Sequence, residues 1–273
     1  MKQKSSKKLL STSLLLVLIA LVSLTAATTA WMTIADSTRL KTMRLDVTSG
    51  ANLRFDLDPH ETFEEYVKSL RLIDIADRIL RDQGYHPREN PLSPVTTTDC
   101  IHFTLENGKP AAKESYMEFV LHFMATDDMV VHLTTAGEEG TRIFSDEVSD
   151  IAKAMRISFT ADDSTAVYDP GMEPGSEEGL GGKIFGLARG NRIVYDASNT
   201  LFFLNAGVDK PVTVRIWLEG TDEICTDALR GVPYHIQLRF VGTDENGNLL
   251  EDSRTTTRRS AAATPTEERN ENK

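Results

Sequence analysis

Residues 211–218 read PVTVRIWL, a segment whose side chains alternate in character along the chain. One set is apolar and comprises Val212, Val214, Ile216 and Leu218. The other set comprises Thr213, Arg215 and Trp217. Because successive side chains of a β-strand point to opposite faces of a sheet, this period of two predicts a strand with one buried face and one outward face. Residues 235–241 repeat the pattern and predict a second such strand.

Shorter runs with the same period occur along much of the chain and are separated by turn residues such as Asn107-Gly108. These runs cover residues 43–47, 53–57, 101–105, 117–124, 129–133, 155–160, 184–187, 192–195 and 200–204. Ser49-Gly50 separates the first two runs, which predicts a hairpin. The pattern as a whole predicts a mainly β domain over residues 31–250, an antiparallel β-sandwich of the jelly-roll kind.

Two amphipathic helices are predicted as insertions in this domain. Residues 58–84 carry apolar side chains at helical spacing, with Asp58 as the N-cap, Pro59 at the first helical position and Gly84 as the stop. Residues 145–154 predict a second, shorter helix. Residues 168–182 are rich in glycine, proline and acidic residues and predict a long loop. Residues 251–273 have no apolar period and predict a disordered tail.

The N-terminal segment predicts export. Residues 7–31 read KKLLSTSLLLVLIALVSLTAATTAW, and basic residues precede an apolar run. The strongly apolar core, residues 14–24, has the length of a signal peptide, whereas the full uncharged stretch approaches the roughly 20 residues of a membrane-spanning helix. Residues 1–30 are therefore either a signal peptide, with Ala27 and Ala30 as cleavage candidates, or an uncleaved hydrophobic helix that anchors the protein in the membrane. Both alternatives predict a cell-surface or secreted protein.

The charge balance argues against two classes of partner. The chain carries 30 Lys+Arg and 41 Asp+Glu, a formal net charge of −11. Such a surface repels nucleic acid and anionic lipid headgroups. We therefore expect no nucleic-acid partner, and contact with a membrane only through residues 1–30 if these are not cleaved.

Motifs for catalysis and for a structural zinc ion are absent from the sequence, which has no HExxH, no GxSxG and no Cys/His cluster. A non-enzymatic protein without a cofactor is therefore expected. Cys100 and Cys225 either form a disulfide or remain two separate buried thiols. His122 and His132 fall on the polar phase of predicted strands, and they are either a solvated pair or a weak metal site across a hairpin.

Calcium is the one ion that the sequence suggests. Asp244, Asn246 and Asn248 place oxygen-bearing side chains at alternate positions. An EF-hand loop counted from Asp244 requires glycine at its sixth position, where Leu249 stands. The segment is therefore either a weak calcium site or a plain hairpin turn.

Two stretches resemble exported surface proteins of the TasA/camelysin type, whose signal peptides are processed by a SipW-type signal peptidase. They are AWMTIADSTRLKTMRLDVTSGANLRFDL at residues 30–57 and VTVRIWLEGTDEIC at residues 212–225, the latter followed by IQLRFVG at residues 236–242. The resemblance implies a jelly-roll-like sandwich on a Gram-positive-type cell surface. In fibre-forming members an N-terminal strand of one subunit completes the sheet of the next, which implies a donor strand within residues 33–47. Metal-dependent proteolysis, credited to the camelysin branch, is not carried over because no zinc motif is present.

The sequence thus predicts an exported structural or adhesive surface protein that self-assembles by N-terminal strand exchange, as in biofilm-matrix fibres. The alternative is a membrane-anchored, monomeric binding module for a glycan or protein ligand that the sequence does not identify. A third hypothesis is an extracellular, calcium-dependent enzyme.

Overall fold

The computed structural model describes residues 40–47, 52–229 and 232–250. The predicted signal or anchor at residues 1–30, the cleavage candidates Ala27 and Ala30, and the predicted tail at residues 251–273 lie outside the described residues. Strands make up 44% of the structure and helices 13%, so the prediction of a mainly β fold is confirmed. None of the helices in the three described ranges is long and apolar enough to cross a membrane.

Fifteen strands and two α-helices form within these ranges, together with four 3₁₀ turns. The strands are β1 (Leu40–Val47), β2 (Leu53–Asp56), β3 (Ser69–Arg71), β4 (Pro94–Thr97), β5 (Phe103–Thr104), β6 (Met117–Ala125), β7 (Met129–Leu133), β8 (Arg142–Phe144), β9 (Met155–Ala161), β10 (Ser164–Tyr168), β11 (Gly175–Gly179), β12 (Gly182–Gly186), β13 (Thr200–Leu204), β14 (Lys210–Glu219) and β15 (Tyr234–Thr243). The helices are α1 (Leu72–Gln83) and α2 (Ile151–Ala154), and the 3₁₀ turns are Phe63–Glu65, Lys113–Ser115, Gly190–Arg192 and Asp227–Leu229.

The described strands form two sheets, neither of which closes into a barrel. The first sheet has the order β13-β7-β15-β1-β3, and β8 also pairs with β15. The second has the order β11-β12-β10-β9-β14-β4-β5, with β6 on β14 and β2 on β6. Three pairs are parallel, namely β1 with β15, β10 with β12, and β14 with β4. The sheets are therefore mixed, and the prediction of a purely antiparallel arrangement was wrong.

The predicted hairpin between residues 43–47 and 53–57 does not form. β1 pairs in parallel with β15, with Leu45 opposite Leu238, whereas β2 pairs with β6, with Phe55 opposite Phe123. The two neighbouring strands thus belong to different sheets. The alternation predicted that each strand has a buried face, but the choice of partner depends on which distant strand covers that face.

The long predicted helix is half the length expected, because α1 begins only at Leu72. Residues 58–71 instead contain the 3₁₀ turn Phe63–Glu65 and the strand β3, whose backbone pairs with β1. The predicted stop is confirmed, since Gly84 caps α1 in the left-handed conformation with a φ of 83°. The second predicted helix is also shorter than expected, covering only Ile151–Ala154.

Two further predictions need correction. The acidic segment predicted as a loop over residues 168–182 is a loop only at residues 169–174. From Gly175 it is a β-hairpin, because β11 pairs with β12 around a turn at Leu180-Gly181. Both turn residues have positive φ, 52° and 74°, as a tight hairpin turn requires. Residues 192–195, predicted as a strand, form none, and Arg192 is the last residue of the 3₁₀ turn Gly190–Arg192.

The main core draws side chains from both sheets. The ring of Phe240 in the first sheet lies 5.7 Å from Phe55, 5.2 Å from Phe123 and 5.9 Å from Phe159, all in the second sheet. These edge-on contacts each contribute about 0.5–1.5 kcal/mol beyond burial. A smaller cluster on the opposite face of the second sheet buries Trp217 completely. The prediction that Trp217 faces outward was therefore wrong, because β5 covers that face of β14 with Phe103, whose ring lies 5.3 Å from Trp217.

Candidate functional site

A cleft of about 850 Å³ lies where four segments of the chain meet. Its walls are residues 135–143, which lead from β7 into β8, residues 149–153 around α2, residues 168–174 after β10, and residues 187–192 after β12. Three arginines line it, Arg142, Arg189 and Arg192, and we call it the arginine cleft.

Short hydrogen bonds and close backbone contacts fix the walls of the arginine cleft. The hydroxyl of Thr135 donates to the carbonyl of Ala188 across 2.5 Å, which joins two of the four segments. A Cβ at Gly186 would lie 2.4 Å from the carbonyl oxygens of Met172 and Glu173. Because glycine has no Cβ, the backbone of the wall at residues 168–174 packs directly against β12. The cleft therefore has defined walls before any ligand enters.

An ion-pair network supports the wall formed by residues 168–174. One nitrogen of Arg156 lies 3.0 Å from Asp169 and 2.9 Å from Asp222, and the guanidinium also donates to the carbonyl of Lys153 at the end of α2. Burial raises the pKa of Asp169, and the charge of Arg156 opposes that rise. Arg156 thus ties the wall after β10 to α2 and to the loop after β14.

Tyr168, at the end of β10, is the most unusual residue of the arginine cleft. Its side chain is only 6% exposed and lines the cleft, yet no described residue accepts a hydrogen bond from its hydroxyl. The hydroxyl keeps contact with solvent, so it opens toward the cleft. Burial raises the pKa of Tyr168 to about 12, and the nearby charge of Asp169 acts in the same direction. Tyr168 is therefore a neutral hydrogen-bond donor at pH 7 that has no partner within the described chain.

The three arginines are also without acidic partners, although carboxylates outnumber cations 41 to 30 in the sequence. In the described ranges Arg142, Arg189 and Arg192 are exposed and make no ion pair. Most other described arginines do pair with carboxylates, namely Arg44, Arg71, Arg78, Arg81, Arg156, Arg215 and Arg239. Three acidic residues share the cleft, Glu138, Asp150 and Glu173, of which Asp150 pairs with Lys153. The guanidinium of Arg142 lies over the ring of Phe144, 4.6 Å from its centroid. The cleft thus offers guanidinium donors without ion-pair partners among the described residues, beside carboxylate acceptors.

The calcium candidates form a hairpin turn that uses its own carboxylate. One oxygen of Asp244 accepts the backbone N–H groups of Asn246 and Asn248, at 2.8 and 2.9 Å, and the other accepts the side-chain N–H of Asn248 at 2.9 Å. Asn248 therefore turns its nitrogen, not its oxygen, toward Asp244. Over the described residues, no group of three or more His, Cys, Asp or Glu side chains is arranged to hold a metal ion.

The two histidines considered as a pair lie in different sheets and do not face each other, so that prediction was wrong. His122 is in β6 of the second sheet, and its Nδ1 lies 2.8 Å from Asp209. His132 is in β7 of the first sheet and is only 1% exposed. Its Nδ1 donates to the side-chain oxygen of Asn199 across 2.7 Å, since the nitrogen of that amide donates to a carbonyl. Neither histidine is the solvated side chain that the strand phase predicted.

Cys100 and Cys225 are both free thiols and both buried. Cys225 belongs to the main core and Cys100 to the cluster around Trp217. Burial raises the pKa of each thiol to about 11, so both remain protonated at neutral pH. Their surroundings are those of structural residues.

The arginine cleft was not predicted from the sequence. Arg142 lies in a strand too short to show a period. Arg189 precedes the 3₁₀ turn Gly190–Arg192 and Arg192 ends it, in a segment predicted partly as strand. Comparison of the chain with protein-family models, with curated proteins and with solved structures gives no match. The resemblance to TasA/camelysin-type proteins therefore stays a prediction.

Proposed function

We propose that this protein is an exported cell-surface binding module, and that the arginine cleft holds a polar ligand without catalysing a reaction on it. The observation that carries the proposal is the hydroxyl of Tyr168, a nearly buried donor that lines the cleft and lacks a protein acceptor. Buried polar groups are normally paired, and a donor left free beside a preformed cleft is suited to a ligand oxygen. In this proposal the two sheets form a β-sandwich, supported by the contacts of Phe240 with the second sheet.

A binding assay tests the role of the arginine cleft. The full-length chain, kept soluble with mild detergent, is applied to an array of oligosaccharides and peptides. Tyr168→Phe removes one hydrogen bond to the ligand, and we expect it to weaken binding about 3- to 10-fold. Tyr116→Phe is the matched control, because the hydroxyl of Tyr116 also lacks a hydrogen-bond partner in the described chain but lies outside the cleft. An array without a bound ligand, or equal affinity for Tyr168→Phe and the wild type, contradicts the proposal.

Export is tested separately on the native protein. N-terminal sequencing is expected to find a start just after Ala27 or Ala30 if residues 1–30 are cleaved, or an intact Met1 in the membrane fraction if they are an anchor. Recovery of the intact chain from the soluble cytosol contradicts export under both alternatives.

Assembly by strand exchange is a second candidate function, suggested by the position of β1. This strand holds part of the predicted donor segment at residues 33–47 and lies between β15 and β3 of its own chain. Leu45 at its centre is completely buried. Exchange between subunits would put the same strand of a neighbour in the same place, with the same contacts.

Electron microscopy of the chain with and without residues 33–47 tests this second candidate. We expect the complete chain to form fibres and the chain without residues 33–47 to form none. We also expect a synthetic peptide of residues 33–47 to bind to the shortened chain in place of the missing strand. Monomers under every condition contradict assembly while leaving the arginine cleft untouched.

A further inference from the structure

Guanidinium groups that make no ion pair in the described ranges occupy two walls of the arginine cleft. Arg142 is in β8, whereas Arg189 and Arg192 lie on the segment after β12. A guanidinium donates two parallel hydrogen bonds to a carboxylate, and this pairing is stronger than that between neutral groups. In a chain with an excess of acidic residues, the guanidinium groups of Arg189 and Arg192 remain available for an external anion, whereas that of Arg142 stacks on the ring of Phe144.

The acidic residues of the same cleft restrict the kind of anion. Glu138 and Glu173 line it without making an ion pair in the described ranges, and they would repel a dense polyanion such as nucleic acid or polyphosphate. A sugar ring with a single carboxylate also carries hydroxyl groups, which donate to carboxylates. Such a ligand uses both the arginines and the glutamates.

A peptide ligand fits the lining less well. Peptides are usually held by apolar side chains seated in pockets or by pairing with a strand edge. None of the exposed large apolar side chains in the described parts of the chain lines the cleft. Ile143 and Leu187 in the lining are buried. The more exposed apolar residues there, Pro170, Met172 and Pro174, include no branched aliphatic or aromatic side chain that would anchor a peptide.

Tyr168 supplies a contact that does not depend on charge. Its neutral hydroxyl donates equally well to a carboxylate oxygen or to a sugar hydroxyl. Arg189 lines the same cleft, and its charge opposes the rise in the pKa of Tyr168 that burial causes.

We propose that the arginine cleft binds a saccharide that carries carboxylate groups, such as a uronic-acid oligosaccharide. The inference rests on the proposed function, since it names the ligand class of the same cleft. The arginines pair with the carboxylate, Tyr168 donates to a ring oxygen or hydroxyl, and Glu138 and Glu173 accept hydrogen bonds from the remaining hydroxyl groups.

Calorimetry tests the inference by measuring the affinity of the full-length chain for two probes. One is oligogalacturonate, and the other is the same oligosaccharide after methyl esterification of its carboxyl groups. We expect the acid form to bind about tenfold more tightly than the ester, and added salt to reduce this difference. Arg189→Gln and Arg192→Gln are each expected to weaken binding of the acid form about 5- to 20-fold and to leave the ester unaffected. Arg88→Gln is the matched control, since Arg88 is exposed and makes no ion pair in the described ranges but lies outside the cleft.

The outcomes separate this inference from the proposed function. One outcome is that neutral saccharides bind in a way that depends on Tyr168, and that the acid form binds no more tightly. This outcome overturns the carboxylate inference but is consistent with the proposed binding module. An equal loss for Arg88→Gln and Arg189→Gln overturns it as well, because attraction is then diffuse. A poly-glutamate peptide that binds as tightly, with the same dependence on the arginines, overturns the assignment to saccharides. No binding to either probe or to any array member removes both proposals.

Discussion

The hydroxyl of Tyr66 donates a hydrogen bond to Asp209, with the two oxygens 2.7 Å apart, although 143 positions separate these residues in the sequence. The other carboxylate oxygen of Asp209 lies 2.8 Å from His122. Tyr66 is only 2% exposed and follows the 3₁₀ turn Phe63–Glu65, while Asp209 immediately precedes β14. This contact fastens the segment between β2 and β3 to the second sheet.

Tyr66→Phe is expected to lower the free energy of unfolding by about 1–3 kcal/mol, because a partly buried carboxylate loses one of its donors. Urea denaturation measures the change. Tyr116→Phe serves again as the control and should change stability by less than about 0.5 kcal/mol, since its hydroxyl has no partner among the described residues. Equal effects of the two substitutions would show that the Tyr66–Asp209 bond contributes nothing.

The stability of the protein should fall on acidification because of His132. Burial lowers its pKa, outweighing the hydrogen bonds to Asn199. Between the folded pKa and the ordinary value near 6.5 the unfolded chain binds more protons than the native state, so stability rises with pH across that window. Urea denaturation from about pH 7 to about pH 5 should therefore show a smaller loss for His132→Gln than for the wild type. The partly exposed His86, changed to Gln, is the control, and parallel pH profiles for all three proteins would contradict the prediction.

Gly247→Ala should destabilise the protein far more than Gly207→Ala. Both glycines have positive φ, 78° and 68°, a conformation that costs an alanine about 1–2 kcal/mol. A Cβ at Gly247 would also lie 2.0 Å from the carbonyl oxygen of Tyr195, whereas the space at Gly207 is open. We expect about 1 kcal/mol for Gly207→Ala and more than about 3 kcal/mol for Gly247→Ala. Thermal unfolding measures both, and similar melting temperatures would mean that the turn after β15 moves away from Tyr195.

Arg156→Met should cost about 2–4 kcal/mol, because Asp169 and Asp222 are left together without a cation. Asp169→Asn should lower the free energy of unfolding clearly less than Arg156→Met does. Burial raises the pKa of Asp169, which means that the charged carboxylate is already disfavoured in the fold, and Arg156 keeps Asp222 as a partner. Denaturant unfolding of both variants measures the difference. A larger loss for Asp169→Asn than for Arg156→Met would contradict this account of the network.

Local alternation predicted individual strands well. Residues 129–133 and 200–204 are strands with the bounds predicted, and residues 211–218 lie within β14. These segments have one clearly apolar face, which the period alone identifies. Residues 58–71 were misassigned because Phe63, Tyr66 and Leu70 also satisfy a helical spacing, and the contacts that decide against a helix involve distant residues.

The arginine cleft could not be predicted for a related reason. The surroundings of each side chain after folding decide which partners it has. They leave the hydroxyl of Tyr168 without an acceptor, and Arg142, Arg189 and Arg192 without carboxylates. In the sequence, Tyr168 is one of six tyrosines, and nothing marks these three arginines out from the other basic residues of an acidic chain. Likewise, the alternation along β14 correctly places Trp217 on the face opposite the main core. Its burial there depends on β5, which covers that face and cannot be recognised from the alternation.

The parallel pairing of β1 with β15 sets an order on folding. β1 begins at Leu40 and β15 ends at Thr243. If the chain is exported N-terminus first, as we propose, β1 crosses the membrane well before its partner. The first sheet cannot be completed until β15 has emerged, and such distant pairings form slowly. In the export that we propose, the first sheet would therefore stay incomplete until residues 234–243 have crossed the membrane.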